Sequence, residues 1–403
     1  MLKGVKLRLY PKPDQVIQLW QLFGNDRFVW NQLLAMMNQR YENNPELKRL
    51  NRYQLDYLLP ALKIEYPFLK LSDSSSLQVV TRNLNQAWVN FFQDKSHQVG
   101  KPRFHSRHYP RQSYTGKSTV QVIAKRYLKI PKLGYVKTSK TGCLKDGQIK
   151  QYTLSHDATG RYYLAIQLEC PEPQPLPKTH RVVGLDLGLA HLVTTSDGQQ
   201  FPTLKADWLT RQATLWQRKY QRRKNQATKW ARQWNHDQRH FTDRDVFDYQ
   251  NWQRAQQIKA RYQGRVAQQR LNYLHQLSTE LVKKYDVIVI EDLKVKNLQK
   301  NHRLARSIAN AGWYQFRQML TYKCDWYGKQ LIVVNPRYTS QQCSNCGFQS
   351  GQKPLAIREW TCSQCQTHHD RDINAAVNIR QAGLKLNATG SGRTLVTKSG
   401  SVS

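Results

Sequence analysis

Four of the seven cysteines in this 403-residue chain fall in two tight pairs, Cys343-x2-Cys346 and Cys362-x2-Cys365, with fifteen residues between them. Two such hooks let four thiolates converge tetrahedrally on one Zn2+. A segment this short cannot bury a core of its own, so the metal would fold it. A closed four-sulfur set also leaves no position for a substrate, which makes the expected zinc structural. The plainer reading, disulfides or unrelated thiols, suits a cysteine-dense secreted domain better than this cysteine-poor chain. His368 and His369 could compete as ligands but read as surface or nucleic-acid-facing residues. Cys143, Cys170 and Cys324 have no metal spacing and read as core thiols.

A second set of residues with chemical potential is carboxylic. Asp186 stands between Leu185 and Leu187 in VVGLDLG, Glu291 follows the apolar run Val287–Ile290, and Asp372 opens the helical pattern of Ile373–Leu386. Glu291 could simply be a strand end reaching solvent, and Asp372 a helix cap. A charge inside an apolar strand, as at Asp186, costs free energy unless something binds it. One acid on an interior strand, one at a strand end and one at a helix start can together hold two Mg2+ about 4 Å apart. Such a pair activates water and stabilises the leaving oxygen of a phosphodiester. No GxxxxGK[ST] loop and no supported Ser–His or Cys–His arrangement offers a competing chemistry.

The charge supplies the phosphates. Lys and Arg number 63 against 27 Asp and Glu, a net +36 with a pI near 10.1. A compact chain so charged repels itself unless a polyanion neutralises it. Nucleic acid is the expected partner, ahead of an anionic membrane surface, for which no amphipathic basic anchor is evident. The longest aliphatic run, Val287–Ile290, is far short of the ~20 apolar residues of a membrane span. The N-terminus MLKGVKLRLYPKPDQ has no apolar signal-peptide core. These features predict a cytoplasmic, nucleoid-associated protein with no membrane partner.

Several elements must position these groups. Lys3–Tyr10 alternates as a half-buried strand, ended by Pro11 and Pro13. The period then becomes helical up to about Gln98, with Asp14 as the expected first N-cap and a second helix over Ser74–Asp94. Short strands between Val120 and Cys170, separated by PKLG, DG and TG turns, suggest a small β-barrel that includes the opening strand. Pro171–Pro177 reads as a linker. After Arg181 come two strands, VVGLDLG and HLVTT, and then two long basic helices between Lys205 and Lys284. That stretch holds 18 Lys and Arg against 6 Asp and Glu, a net +12, around a narrow apolar stripe. A buried strand over Asp286–Asp292, a helix over Trp313–Gly328, a strand over Leu331–Asn335, the cysteine unit and a helix over Ile373–Leu386 follow, before a polar tail.

Candidate nucleic-acid contacts are Arg103, Phe104 and Arg111 in a basic, aromatic loop, where phosphate contact and base stacking can combine. On the basic helices the candidates are Arg218, Arg222, Arg223, Lys224, Arg261 and Arg265. Any one of these could equally sit on a solvated helix face.

The motifs GLDLGLAHLVTTSDG (Gly184–Gly198), VIVIEDLKVKNL (Val287–Leu298), YTSQQCSNCG (Tyr338–Gly347) and HDRDINAAVNI (His369–Ile379), in that order and spacing, resemble the TnpB (OrfB) family of insertion-sequence transposons, relatives of type V CRISPR effectors. LRLYPKPDQ, FGNDRFVWN and GKPRF fit the family too, and the resemblance spans about residues 1–382. It implies an α/β multidomain protein with an RNase H-like (RuvC-like) nuclease domain, an inserted zinc ribbon, and an N-terminal β-barrel carrying an inserted helical lobe. The implied spans are 1–12 and 99–178 for the barrel (a WED-like domain), 13–98 for the helical recognition lobe, and 179–342 with 366–386 for the nuclease. The nuclease would carry the basic hairpin 205–284, the ribbon would span 343–365, and a disordered tail 387–403. It further implies Asp186, Glu291 and Asp372 as the three catalytic acids, with Asp372 preferred over Asp370 because it stands two residues before the Asn of D-x-N-x-A. The implied activity is RNA-guided, Mg2+-dependent DNA cleavage, with a transposon-derived guide RNA and target DNA as partners. One departure is Gln366, where members often carry a Gly that permits a turn with φ > 0. No HNH-type insertion is apparent, so one active site would cut both strands. The alternatives are a DNA-binding transposase and a non-catalytic transposition regulator.

Overall fold

The computed structural model describes residues 1–388 apart from 45, 48, 95, 97, 118, 119, 145, 146, 238–241 and 355. No described helix is long and apolar enough to cross a membrane. The chain divides into two compact units. One comprises residues 1–171 with Gln256–Ala260; the other comprises 172–255 and 261–403.

In the first unit, β1 (Leu2–Tyr10) turns Leu7 and Leu9 inward and leaves Lys6, Arg8 and Tyr10 outside, as its alternation requires. The helix after it, α1 (Pro13–Asn43), runs uninterrupted for 31 residues. Asp14 is not its N-cap. Lys12 is the N-cap and Pro13, with φ fixed for helix entry, starts the helix, so Asp14 falls in the first turn, where its charge suits the helix dipole. The N–H of Lys12 is satisfied instead by Gln15 Oε1 at 3.0 Å. Two short helices, α2 (Arg52–Tyr57) and α3 (Leu59–Glu65), precede α4 (Ser74–Gln93), which Asp73 caps by accepting from Ser75 N at 2.9 Å. Strands β2 (Gln112–Gly116), β3 (Gln121–Ala124), β4 (Tyr127–Ile130), β5 (Gly134–Thr138), β6 (Gln148–His156) and β7 (Tyr162–Glu169) join β1 in one antiparallel sheet ordered β2-β6-β7-β1-β5-β4-β3. Leu19, Leu22 and Phe23 of α1 pack on the inner face of that sheet. Val29, Leu33, Leu34 and Met37, further along α1, pack with Leu77, Leu84 and Trp88 of α4 in a separate core. One long helix thus serves both cores, and each fully buried Leu contributes about 1.5–3 kcal/mol. Cys143 is exposed rather than buried, because it sits in a single 3-10 turn whose inward position is taken by Leu144.

The second unit is built on a five-stranded sheet. Its strands are β8 (Val182–Asp186), β9 (His191–Thr195), β10 (Gln200–Pro202), β11 (Val287–Glu291) and β12 (Gln330–Val334), in the order β10-β9-β8-β11-β12. β11 is parallel to both β8 and β12, while β9 and β10 run antiparallel. Parallel strands are covered on both faces, which is why VIVI and LIVV read as unbroken apolar runs. On one face Val183, Leu185, Ile288 and Ile290 meet α6 (Gln250–Lys284) through Leu274, Leu277 and Leu281, and α9 (Trp313–Trp326) through Phe316 and Leu320. On the other, Val289, Ile332 and Val334 meet Ile379 of α10 (Arg371–Ala388). The basic stretch between β10 and β11 is α5 (Asp207–His236) followed by α6. Short helices α7 (Val295–Leu298) and α8 (Ala305–Ala311) lead into α9, and the hairpin β13 (Glu359–Thr361) and β14 (His368–Asp370) leads into α10.

Some expected boundaries shift. The helix at Trp313 stops at Trp326, because Gly328 takes φ +65° and turns the chain into β12. The last helix begins at Arg371 and continues to Ala388, so Asn387 is helical; residues 389–403 of the expected tail lie outside the described residues. The Pro-rich linker is tied down within the second unit: Leu176 N donates to Tyr327 O at 3.1 Å, and Lys329 Nζ to Pro177 O at 2.7 Å.

Candidate active site and metal centre

Asp186 is the last residue of β8 and Glu291 the last of β11. The two strands are neighbours in parallel register, Leu185 opposite Ile290, so both carboxylates leave the same edge of the sheet side by side. Asp372 lies in the first turn of α10, which lies across these strands. The close approach depends on two glycines. A Cβ at Gly184 would lie 2.1 Å from Ala376 O and 2.6 Å from Arg380 N; one at Gly383 would lie 2.5 Å from both methyls of Val289. Without side chains at these points, α10 sits against the strands and carries Asp372 towards Asp186.

The charges report the proximity. Asp186, half-buried, is pushed up to about 8, first by burial and then by the negative charges of Glu291 and Asp372, against smaller opposing effects of Arg371 and the Leu187 N–H. Glu291, 8% exposed, is raised by burial and partly restored by a hydrogen bond from Thr339. Glu291 and Asp372 thus both bear on Asp186, and a cation beside it would offset their charge. Their hard oxygen donors suit a divalent cation such as Mg2+.

Two of the acids have side-chain partners. Thr339 Oγ1 donates to Glu291 Oε1 at 2.6 Å, and Arg358 Nη1 stands 3.3 Å from Asp372 Oδ2. The arginine is about half exposed, so that pair is weakly held. The N-cap role open to Asp372 belongs to Asp370, whose Oδ1 accepts from the N–H groups of Asp372 and Ile373, both at 2.9 Å. The Asp372 carboxylate is therefore not consumed in capping.

The four cysteines come together. The ligand atoms of Cys343, Cys346, Cys362 and Cys365 all lie within 4.8 Å of one another; no other such cluster occurs among the described residues, the three carboxylates included. Cys343 and Cys365 sulfurs are 3.7 Å apart, as are those of Cys346 and Cys362. A tetrahedron with Zn–S bonds of ~2.3 Å has edges of about 3.8 Å, so the sulfur spacing fits zinc. The two hooks repeat one backbone pattern. Gly347 N donates to Cys343 O at 2.9 Å and Gln366 N to Cys362 O at 3.0 Å. Gly347 has φ +79° and Gln366 φ +55°. The glutamine thus adopts the left-handed turn that glycine would take more easily. His369 is not a surface residue: it is half-buried, its ring 4.9 Å from that of Trp360 and its Nε2 3.0 Å from Cys343 Sγ. It contacts a ligand rather than adding one.

Two further residues join this unit to α10. Asn374 Oδ1 accepts from Ser344 N and its Nδ2 donates to Gln342 O, both at 2.8 Å; Asn378 Nδ2 donates to the carbonyls of Thr339 and Gln342, also at 2.8 Å. The i,i+4 spacing puts both amides on one helix face. The sequence signal was the D-x-N-x3-N repeat; Thr339 and Arg358 gave no comparable signal.

Phe104 and Arg111 line a cavity of about 570 Å3 in the first unit with Trp30 and His105, whose rings stack at 4.3 Å. Arg103 is exposed, with its carbonyl accepting from Trp30 Nε1 at 3.0 Å. On α5, Arg218 and Arg222 are exposed along a shallow groove. Arg223 instead reaches Asn251 O at 3.4 Å, and Lys224 lies over the Trp252 ring at 5.7 Å. Arg261 and Arg265 are exposed on α6, Arg265 6.0 Å from the Tyr262 ring.

Three family descriptions match successive parts of the chain: "Helix-turn-helix domain" of the OrfB/IS605 type over residues 1–46, "Probable transposase" of the same type over 165–302, and "Cas12f1-like, TNB domain" over 313–379. The first covers β1 and α1, here a strand and one unbroken helix. A protein of Streptomyces pristinaespiralis named "Putative RNA-guided DNA endonuclease" is 33% identical over 401 residues, covering 97% of this chain and 91% of the relative. The chain belongs to the TnpB (OrfB) family. A second relative, from Escherichia coli K12 and named "Putative RNA-guided DNA endonuclease InsQ", is 29% identical over 419 residues, with 98% of this chain and 96% of the relative covered. Among solved structures, the Cas12f1–sgRNA–target DNA complex matches with a TM-score of 0.50 over 94% of this chain and 98% of that one, at 12% identity. That likeness is one of fold: an α/β multidomain architecture similar to Cas12 effectors.

Proposed function

We propose that this TnpB-family chain is an RNA-guided DNA endonuclease whose hydrolytic site is formed by Asp186, Glu291 and Asp372. The observation that carries the reading is the gathering of these acids from β8, β11 and α10 into one electrostatically coupled group. Family membership supports the same activity, since two near-full-length relatives bear that name. Divalent cations bound here, two Mg2+ in the fullest form, would supply Lewis acidity towards the scissile phosphate. The chain's own part is to hold the three carboxylates in place: Thr339 fixes Glu291, Asp370 relieves Asp372 of capping, and Gly184 and Gly383 let α10 reach the strands.

In this reading the second unit is an RNase H-like nuclease domain, and the cysteine unit is a zinc ribbon whose metal is structural. The seven-stranded sheet of the first unit would be the core of a β-barrel domain, and its helices a recognition lobe. A guide RNA would read sequence by base pairing, leaving the protein to hold backbone and shape. The exposed cations Arg103, Arg111, Arg218, Arg222, Arg223, Arg261 and Arg265 would serve that purpose, with Lys224 less exposed over the Trp252 ring.

Expression from a locus that keeps its flanking DNA, followed by sequencing of copurified RNA, tests the proposal. A single discrete RNA running past the 3′ end of the coding region is expected, and its terminal segment should direct Mg2+-dependent cleavage of matching DNA. Heterogeneous RNA, or a defined RNA that directs no cutting, would count against it.

A further inference from the structure

The loop joining β12 to the first cysteine hook runs from Asn335 to Gln342 and contacts Glu291 directly. Its Thr339 hydroxyl donates to Glu291 at 2.6 Å, and its Thr339 carbonyl accepts from Asn378 at 2.8 Å. Immediately before this anchored residue stands Tyr338, with φ +65°. Only three other non-glycine residues among those described have positive φ: Lys132, His180 and Gln366. For a bulky residue this is a genuine outlier, since the Cβ crowds the carbonyl oxygen.

The main chain explains the turn but not the tyrosine. Tyr338 O accepts from the N–H groups of Gln341 and Gln342 at 2.9 and 3.1 Å, which closes the loop on Thr339. Glycine would make the same bonds with less strain. The residue is 58% exposed, and no hydrogen bond, ring contact or cation engages its ring among the described residues. By chain geometry alone it lies within about 13 Å of the Glu291 carboxylate, a few nucleotides at most. A large aromatic side chain is therefore held in an unfavourable conformation, open to solvent, at the border of the acids, with no role in packing. Strain of this kind persists where the surrounding structure enforces it and is concentrated at functional sites.

We propose that Tyr338 is a substrate-binding residue that stacks on a nucleobase of the unpaired DNA strand as that strand enters the Asp186–Glu291–Asp372 site. The proposal rests on the nuclease reading above. Stacking needs a base whose face is free, so the contact selects a single strand over a closed duplex, and it tolerates any base because each has a π-face.

The test uses the full chain in complex with its copurified RNA, with single-turnover cleavage of matching DNA in Mg2+ and thermal unfolding measured in parallel. Tyr338→Ala should slow cleavage roughly ten- to hundredfold, the range expected for one lost base–aromatic contact, with RNA loading unchanged. Tyr338→Phe should cut like the wild type, since the ring is needed and the hydroxyl is not. Tyr338→Gly should be as slow as Tyr338→Ala yet unfold at a higher temperature, because the turn is relieved; a merely structural tyrosine would not separate the two readouts. Wild-type cleavage by Tyr338→Ala, or a Phe variant as slow as the Ala variant, would overturn the stacking role. If Asp186→Ala still cuts, the site assignment fails instead, and the two failures are distinguishable.

Discussion

Gly184 is the residue through which the sheet and the third acid communicate, and adding one methyl there is a sharp perturbation. In Gly184→Ala the new Cβ would start 2.1 Å from Ala376 O, 2.6 Å from Arg380 N and 2.9 Å from Arg380 Cβ. Two of these are backbone atoms of α10, so no rotamer change absorbs the clash. The helix must retreat by roughly 1 Å, an overpacking that costs about 1–3 kcal/mol and lowers Tm by a few degrees. The larger consequence is functional. Asp372 rides on the first turn of that helix, and misplacing a reacting group by ~1 Å costs on the order of a hundredfold in rate. The assay is single-turnover cleavage by the RNA-loaded complex, with Tm and RNA content as controls. Gly4→Ala is the matched control, because a Cβ there meets nothing within 4 Å. If Gly184→Ala cuts within about twofold of wild type with an unchanged Tm, then the close approach of α10 does not position Asp372 and the geometric argument is wrong.

Other expectations follow from the metal unit and from one ion pair. Gln366→Gly should stabilise the protein by about 1 kcal/mol in denaturant titrations, since it removes a left-handed non-glycine turn at φ +55°; a loss of stability would contradict the strain. Cys343→Ser with Cys362→Ser should abolish bound zinc by elemental analysis and slow cleavage as well, because Asn374 and Asn378 anchor this unit to the helix bearing Asp372; retained zinc would refute the four-sulfur site. Burial alone would raise Asp286, but Lys329 at 2.5 Å and the N–H groups of Thr179 and His180 outweigh it and hold the carboxyl well below the usual range. A depressed carboxyl contributes its full stability above the unfolded value near ~4 and loses it as pH falls further. Asp286→Asn should therefore cost about 3 kcal/mol near neutrality, where it strands the buried Lys329, and the difference should shrink in Tm series carried below about pH 4; a cost independent of pH would contradict the pairing.

The strands carrying Asp186 and Glu291 were legible because parallel, doubly covered strands write themselves as apolar runs such as VIVI, ended by the acid. The cysteine spacing was legible for a similar reason, since metal hooks are local in sequence. What stayed hidden depends on contacts between distant segments. Nothing near Thr339 announces a hydrogen bond to a residue 48 positions earlier, and nothing near Arg358 announces Asp372. Which of Asp370 and Asp372 caps the last helix likewise depends on the folded turn. Likewise Arg223 and Lys224 read as candidate nucleic-acid contacts along a basic helix, and the fold adds contacts to Asn251 and Trp252. Cys143 and His369 were read by residue type, and a single turn in one case and a neighbouring thiol in the other decided their surroundings.

The central claim is that Asp186, Glu291 and Asp372 form one hydrolytic site, and Asp186→Ala in the RNA-loaded complex tests it most directly. Cleavage of matching DNA in Mg2+ should fall by at least about a thousandfold, several kcal/mol of lost transition-state stabilisation. RNA content and target binding should stay within about twofold of wild type. A variant that still cuts at a comparable rate would contradict the account, whatever its binding.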